Sequence, residues 1–186
     1  TKYYFLKKQK KFSRLGSLYI LALSAIALGI LISGSLVQSH LNNQLSDSRV
    51  INVAGRQRML SQKIAKLALL IKPGQSVEKR DSIAKELSTA LNLWEYSHRG
   101  LRFGNEDLDH QNSAAVDSMF SRIQPGFTKI AAGATEIIQT IRNTSQEEYS
   151  SLKPQISTIL EHEHAFLEGM DQIVFQYDRE AKAKVN

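Results

Sequence analysis

The residues best placed to do chemistry lie in INVAGRQRMLSQKIAK, residues 51–66. Arg56 and Arg58 stand there among a glycine, small residues and amides, in a stretch with helical periodicity. A guanidinium is a planar fork of donors that suits a planar oxyanion. Two other sets invite metal chemistry. WEYSHRG carries Glu95 with His98, and EHEHAF carries Glu161 with His164. Glu-x-x-His is the spacing by which paired helices hold a di-metal centre. Such a centre also needs a carboxylate from each of the other two helices, and residues 48–71 contain none. The helical wheel turns Glu161 away from Ile156, Leu160, Leu167 and Val174, so solvated or capping roles are the plainer assignment. The chain has no Cys, and no glycine-rich phosphate loop follows a strand pattern. No catalytic residue, cofactor or metal is expected.

At about 100° per residue, Val53, Gln57, Leu60, Ile64, Leu67 and Ile71 fall on one face, which predicts the side packed into a core. A second stripe holds Ile51, Ala54, Gly55, Arg58, Gln62, Ala65 and Leu69. An outward stripe is normally charged, whereas this one is mostly small or apolar and invites a partner helix. The simplest partner is the same helix of a second copy. Arg58 then lies near its symmetry mate, and an anion between the two removes their repulsion. Ser61 and Gln62 are placed to orient that anion or to hydrogen-bond across the seam. Arg56 lies at the edge of the core face, where a snorkelling or bridging role fits better.

The elements that must position these residues are helices. Leu41, Leu45, Val50 and Val53 begin a run with spacings of three and four that ends at KPGQS, residues 72–76, where Pro73 and Gly74 are stop signals. A second helix is expected over Val77–Phe103 and a loop or helix start over 104–112. A third is expected over about 113–142, with a kink or local defect at Pro125 and Gly126. Residues 143–150, NTSQEEYS, read as a polar turn with a capping box in Ser145 and Glu148. A fourth is expected over about 146–185. Trp94 and the Phe residues sit at core spacing. Long amphipathic helices with short connections predict an all-α, antiparallel up-down-up-down four-helix bundle.

Ahead of the bundle, residues 15–37 are apolar, and no Asp, Glu, Lys or Arg occurs from 15 to 46. The run is long enough to span a bilayer and is expected to continue into helix 1. A cleaved signal peptide is the alternative. The net charge is +6, and Lys2, Lys7, Lys8, Lys10, Lys11 and Arg14 account for it, leaving 18 basic and 18 acidic residues in the remainder. Basic residues before the span and none just after it place the N-terminus in the cytoplasm. The neutral body argues against nucleic acid as a partner, and the tail suits anionic lipid heads. The organisation expected is a cytoplasmic tail over 1–14, a transmembrane helix over 15–38 and an extracytoplasmic sensor domain over 39–186. Both chain ends of an up-down-up-down bundle emerge at one end. Helix 4 is therefore expected to return to the membrane and enter a second span after 186. Thr1 in place of Met suggests a fragment of a longer chain.

VINVAGRQRMLSQKIAK resembles the signature of the PilJ-type sensor domain, the N-terminal module of type IV pili methyl-accepting chemotaxis transducers. It is also similar to the ligand-binding segment of the nitrate/nitrite sensor kinases of the NarX and NarQ type. The resemblance implies a four-helix bundle outside the membrane, held between two spans and working as a homodimer through helix 1. It implies one nitrate or nitrite bound between the first helices of the two copies. Arg58 aligns with the anion-binding Arg, Gly55 with the Gly three positions before it, and Asn52 and Ala54 also match. This sequence follows the PilJ-type branch at Arg56. The implied function is extracytoplasmic sensing in a bacterial inner-membrane receptor, a histidine kinase or a chemoreceptor, by ligand-coupled helix motion. A purely structural dimerisation module is the alternative.

Overall fold

The computed structural model describes the backbone of residues 2–143 and 152–184, and side chains from residue 16 onward within these except those of 40, 42 and 43. Four helices follow in order: α1, Lys2–Leu70; α2, Val77–Phe103; α3, Ala114–Asn143; and α4, Lys153–Ala183. The expected bounds of α2 are matched and those of α3 differ by one residue. Residues 146–151 and the Ser145–Glu148 capping box lie outside the described residues. Pro125 lies inside α3, which continues as helix past it to Asn143. The chain divides into two compact units, Thr1–Leu45 and Ser46–Asn186.

In the first unit, α1 carries from Gly16 onward a stretch long and apolar enough to cross a membrane. Leu18, Ile20, Leu21, Ile26 and Leu31 are all exposed along it. Apolar side chains on every face suit hydrocarbon as the solvent.

In the second unit each helix end has a local cause. Gln75 closes the end of α1: its Nε2 donates to Leu70 O at 2.9 Å, and Lys72 N donates to its Oε1 at 3.0 Å. Gly74 takes φ +76° in the turn, a conformation that favours glycine. Ser76 caps α2 by accepting from Lys79 N at 3.3 Å. Gly104, also at φ +76°, ends α2. Asn105 Oδ1 then accepts from Asp107 N and Leu108 N at 3.0 and 2.9 Å and folds the following loop. Ser113 Oγ accepts from Val116 N at the start of α3, and Pro154 occupies the first turn of α4.

Cross-helix contacts fix the directions. Arg49 reaches Asp107 while Gln57 reaches the carbonyl of Trp94, so α1 and α2 run antiparallel. His98 stacks on Phe127 and meets the edge of Phe120, which sets α2 against α3. Gly133 faces Ile159 and Gly126 faces His162, so α3 and α4 are antiparallel. Asp47 pairs with Lys184 and Arg58 with Asp171, which returns α4 along α1. These directions are compatible with the up-down-up-down four-helix bundle expected from the sequence. Trp94, Phe120 and Phe166 are fully enclosed at its centre. Trp94 lies 4.3 Å from Phe127 and 4.9 Å from Phe166, ring centre to ring centre. Burying each such phenylalanine is worth about 1.5–3 kcal/mol.

Candidate functional site

The 51–66 segment lies within α1, between α2 and α4. Gln57, Leu60, Ile64, Leu67 and Ile71 are buried as their spacing predicts, and Val53 is half-buried. The buried face is wider than expected, because Val50, Ala54, Ser61, Ala65 and Ala68 are also enclosed. At about 100° per residue it covers about 160° of the wheel and is centred on Gln57. Ala54 (0% exposed) and Ala65, assigned by periodicity to the outward stripe, therefore belong to the chain's own core. Small side chains here draw α1 inward and are not available to a second copy. Ser61 is turned inward for the same reason, and its Oγ donates to Arg58 O at 2.9 Å.

The face that remains open carries Asn52, Arg56, Met59, Gln62, Lys63 and Lys66, all exposed, with Gly55 half-buried beside them. Met59 and Leu69 are each more than half exposed. A Cβ built on Gly55 would meet nothing within 4 Å. Asn52, Gly55, Arg56, Arg58 and Gln62 thus keep access to an outside partner, whereas Ala54 and Ser61 do not.

Arg58 lies at the border of this face with α4. Its Nη1 is 2.8 Å from Asp171 Oδ1, with side-chain exposures of 42% and 38%. Its Nε is enclosed and has no hydrogen-bond partner among the described residues. Sequence reasoning placed Arg58 opposite only its symmetry mate and missed Asp171. The signal was available: Asp171 interrupts the apolar run Met170, Ile173, Val174 of helix 4 at an edge position. Its carboxylate already supplies a counter-charge, so charge balance alone does not require an anion.

The Glu-x-x-His pairs are not brought together. His98 is enclosed (3% exposed), with Nε2 against Gln124 Oε1 at 3.1 Å and its ring stacked 3.8 Å from Phe127. Burial is the main cause that pushes its pKa down to about 4, and the nearby Arg102 acts in the same direction. His164 is on the surface, 3.2 Å from Glu168, and Glu161 is exposed. The physical reason is the phase of the two helices: residue 98 falls on the buried face of α2, whereas 161 and 164 fall on the outer face of α4. Among the described residues no three His, Asp or Glu side chains cluster to hold a metal.

A further network at the end of the bundle where α1 enters was not foreseen. Asp107 accepts from Arg49 at 3.3 Å and from Tyr96 Oη at 2.9 Å. Tyr177 Oη donates to Asn112 Oδ1 at 2.6 Å, and Ser113 Oγ donates to Glu180 at 2.7 Å. The α2–α3 loop thereby ties α1, α2 and α4 together. Burial raises the Tyr177 pKa far above its ordinary value, so the phenol stays a donor.

Comparison with known proteins returns no matching curated protein and no matching solved structure. Residues 40–157 match the family described as type IV pili methyl-accepting chemotaxis transducer N-term. The matched range holds α1 of the bundle with Arg58, all of α2 and α3, and the start of α4. With a helix able to cross a membrane ahead of a four-helix bundle, the chain belongs to this PilJ family and is a sensory domain of a membrane-associated chemotaxis transducer.

Proposed function

We propose that the bundle lies outside the cytoplasmic membrane, dimerises through the open face of α1, and binds a small planar oxyanion, nitrate or nitrite, between the two Arg58 side chains. The observation that carries the reading is Arg58 itself. It is half-exposed on a helix face with an open glycine one turn away, and its pair with Asp171 engages Nη1. A guanidinium with donors to spare is suited to a planar acceptor. Asn52, Gln62 and Arg56 flank the same face and supply further donors. The basic tail orients the span with its N-terminus inside, and lipid head groups are the tail's partners. Anion binding favours one arrangement of α1 across the dimer only to the extent that its affinity differs between arrangements. A second span after residue 186 would carry the motion of α4 to an output domain, a kinase or a chemoreceptor module. No catalysis is assigned to the domain.

The test is calorimetric titration of nitrate and nitrite into the chain in lipid nanodiscs, with Arg58→Ala beside it. Binding that disappears in Arg58→Ala is expected. Unchanged affinity in that variant would sink the site.

A second reading has an observation in its favour. The Arg58–Asp171 pair neutralises the guanidinium within one chain, which suits a module that dimerises without a ligand. It predicts dimers by sedimentation whose melting temperature does not move with nitrate concentration. The sensing reading predicts a rise of about 2.7 kcal/mol in stability at one hundred times Kd.

A further inference from the structure

We propose that Asp171 is a built-in competitor for the Arg58 guanidinium, so that an oxyanion binding at Arg58 displaces Asp171 and frees α4 from α1 at that level. The inference rests on the anion reading of Arg58 and deepens it.

One Asp171 oxygen, Oδ1, holds Arg58 Nη1 at 2.8 Å. The guanidinium is a single planar cation about two bonds across. Any anion that takes its remaining N–H groups therefore lies within a few ångströms of the Asp171 carboxylate. In the proposed dimer two Asp171 carboxylates and the ligand share two guanidiniums, so the ligand and the carboxylates oppose each other, and a site less than half exposed screens them only partly. The described residues offer no second cation to Asp171. Linkage then works in both directions: the ligand loosens the Arg58–Asp171 pair, and the pair weakens the ligand by the same factor.

The consequence for α4 follows from where the pair sits. Among the described residues two ion pairs join α1 to α4, Asp47–Lys184 near the start of the bundle and Arg58–Asp171 farther in. Freeing Asp171 leaves the outer pair in place and changes how α4 is held along the α1 face. The ligand site is on α1 and the responding residue is on α4, the last of the four helices. Asp171 is thus the residue that sets affinity at Arg58 and turns occupancy into a difference at α4.

The experiment uses the full chain in lipid nanodiscs, with nitrate and nitrite titrated into wild type, Asp171→Asn and Asp171→Glu. Asp171→Asn keeps size and removes charge, and at a half-exposed position it is expected to fold, as circular dichroism will report; Asp171→Ala provides the same comparison if it does not. Tighter binding by Asp171→Asn, up to about fivefold, is expected, the fold-change that matches a half-exposed ion pair, with Asp171→Glu close to wild type. Binding by Asp171→Asn alone supports the competitor in its strongest form. Equal affinities of wild type and Asp171→Asn overturn the competitor while leaving the anion reading intact. Binding by none of the variants overturns both.

A second readout follows the helix directly. The chain has no cysteine, so spin labels on Lys66→Cys and Glu161→Cys, diluted with unlabelled chain, report the α1–α4 separation. Nitrate is expected to shift the distance distribution in the otherwise wild-type chain. Asp171→Asn should show the shifted distribution before nitrate is added. A distribution that nitrate leaves unmoved, in a chain shown to bind it, overturns the release of α4.

Discussion

At Gly133 and Gly169 the two helices of the α3–α4 seam close in until a Cβ has no free place, whereas at Gly55 on α1 a Cβ would touch nothing. A Cβ on Gly133 would lie 3.2 Å from both Gln155 O and Ile159 Cγ1, and one on Gly169 would overlap Ile123 Cγ2. Glycine inside a helix costs about 0.5–1 kcal/mol relative to alanine. In the α3–α4 seam close packing offsets that cost within the chain. On α1 nothing within the chain offsets it. The difference shows where a contact from outside would fit: Gly55 is open at the place where the proposed partner helix would approach. The same contrast holds for polar groups. His98 and Gln57 are enclosed by the chain's own aromatic core, while Arg58 is shared between α4 and the outside.

The largest expected effect tests the inner region. Gln124 Oε1 already accepts from Arg102 Nη1 at 2.6 Å and can only accept from His98, so Nε2 carries the His98 proton and Nδ1 is bare. Protonating Nδ1 places a charge in the core with no acceptor among the described residues. The folded pKa is about 4 against an ordinary value of 6.5. The unfolded chain therefore binds a proton that the folded chain does not over that window. Stability is fully present above pH 6.5, falls as pH drops toward 4, and changes no further from this group below it. The loss is on the order of 3 kcal/mol. Urea melts from pH 7.5 to 4 will measure it. Subtracting the His98→Leu profile removes the slope common to other groups; identical slopes in both would show that the ring is not held neutral.

Next comes overpacking of the seam. Gly169→Val is expected to destabilise the bundle by about 1–3 kcal/mol, because Ile123 must leave its place. Ile123 and residue 169 touch, so Gly169→Val combined with Ile123→Ala should be markedly non-additive. Additive losses would mean that the seam has room and that the contrast with Gly55 is false.

Gly55→Ala should do the opposite. An alanine there gains about 0.5–1 kcal/mol of helix propensity with no clash inside the chain, so the isolated bundle melts higher. The weight-average mass by sedimentation should fall toward the monomer, since a methyl group is added where a partner helix is proposed to approach. A variant that is more stable and equally dimeric would move the dimer seam elsewhere.

The helices were legible because three- and four-residue spacing of apolar side chains is written directly in the sequence, as were the stops at Pro73–Gly74 and Gly104. The apolar span was legible for the same reason. The exact phase of α1 was not. Val53, Leu60 and Leu67 are large and drew the inferred core toward themselves, while the true face also includes Ala54, Ser61 and Ala68, whose small size signals either a tight core or an open seam. Only the positions of α2 and α4 decide between these. Arg58 stands out in the sequence by its chemistry, but Asp171, more than a hundred residues later, is its partner only through the return of α4 along α1. The Glu-x-x-His pairs failed as a metal site for the complementary reason: spacing within a helix says nothing about whether two helices turn those faces toward each other.

The smallest expected effect is the one that bears most on whether Arg58 serves a ligand. Its pair with Asp171 is about 40% exposed on both sides, so solvent screens the attraction, and ordering two side chains offsets part of it. A double-mutant cycle with Arg58→Ala and Asp171→Ala should give a coupling of about 0.2–1 kcal/mol, shrinking in high salt. Neither single variant should cost the bundle much. Nothing else in the fold then depends on Arg58, and an anion that takes its guanidinium does not unfold the domain that binds it. A coupling above about 2 kcal/mol would instead match a desolvated structural clamp. Arg58 would then belong with His98 among the residues that hold the bundle together, and the division between a closed interior and an open α1 face would fail at its central residue.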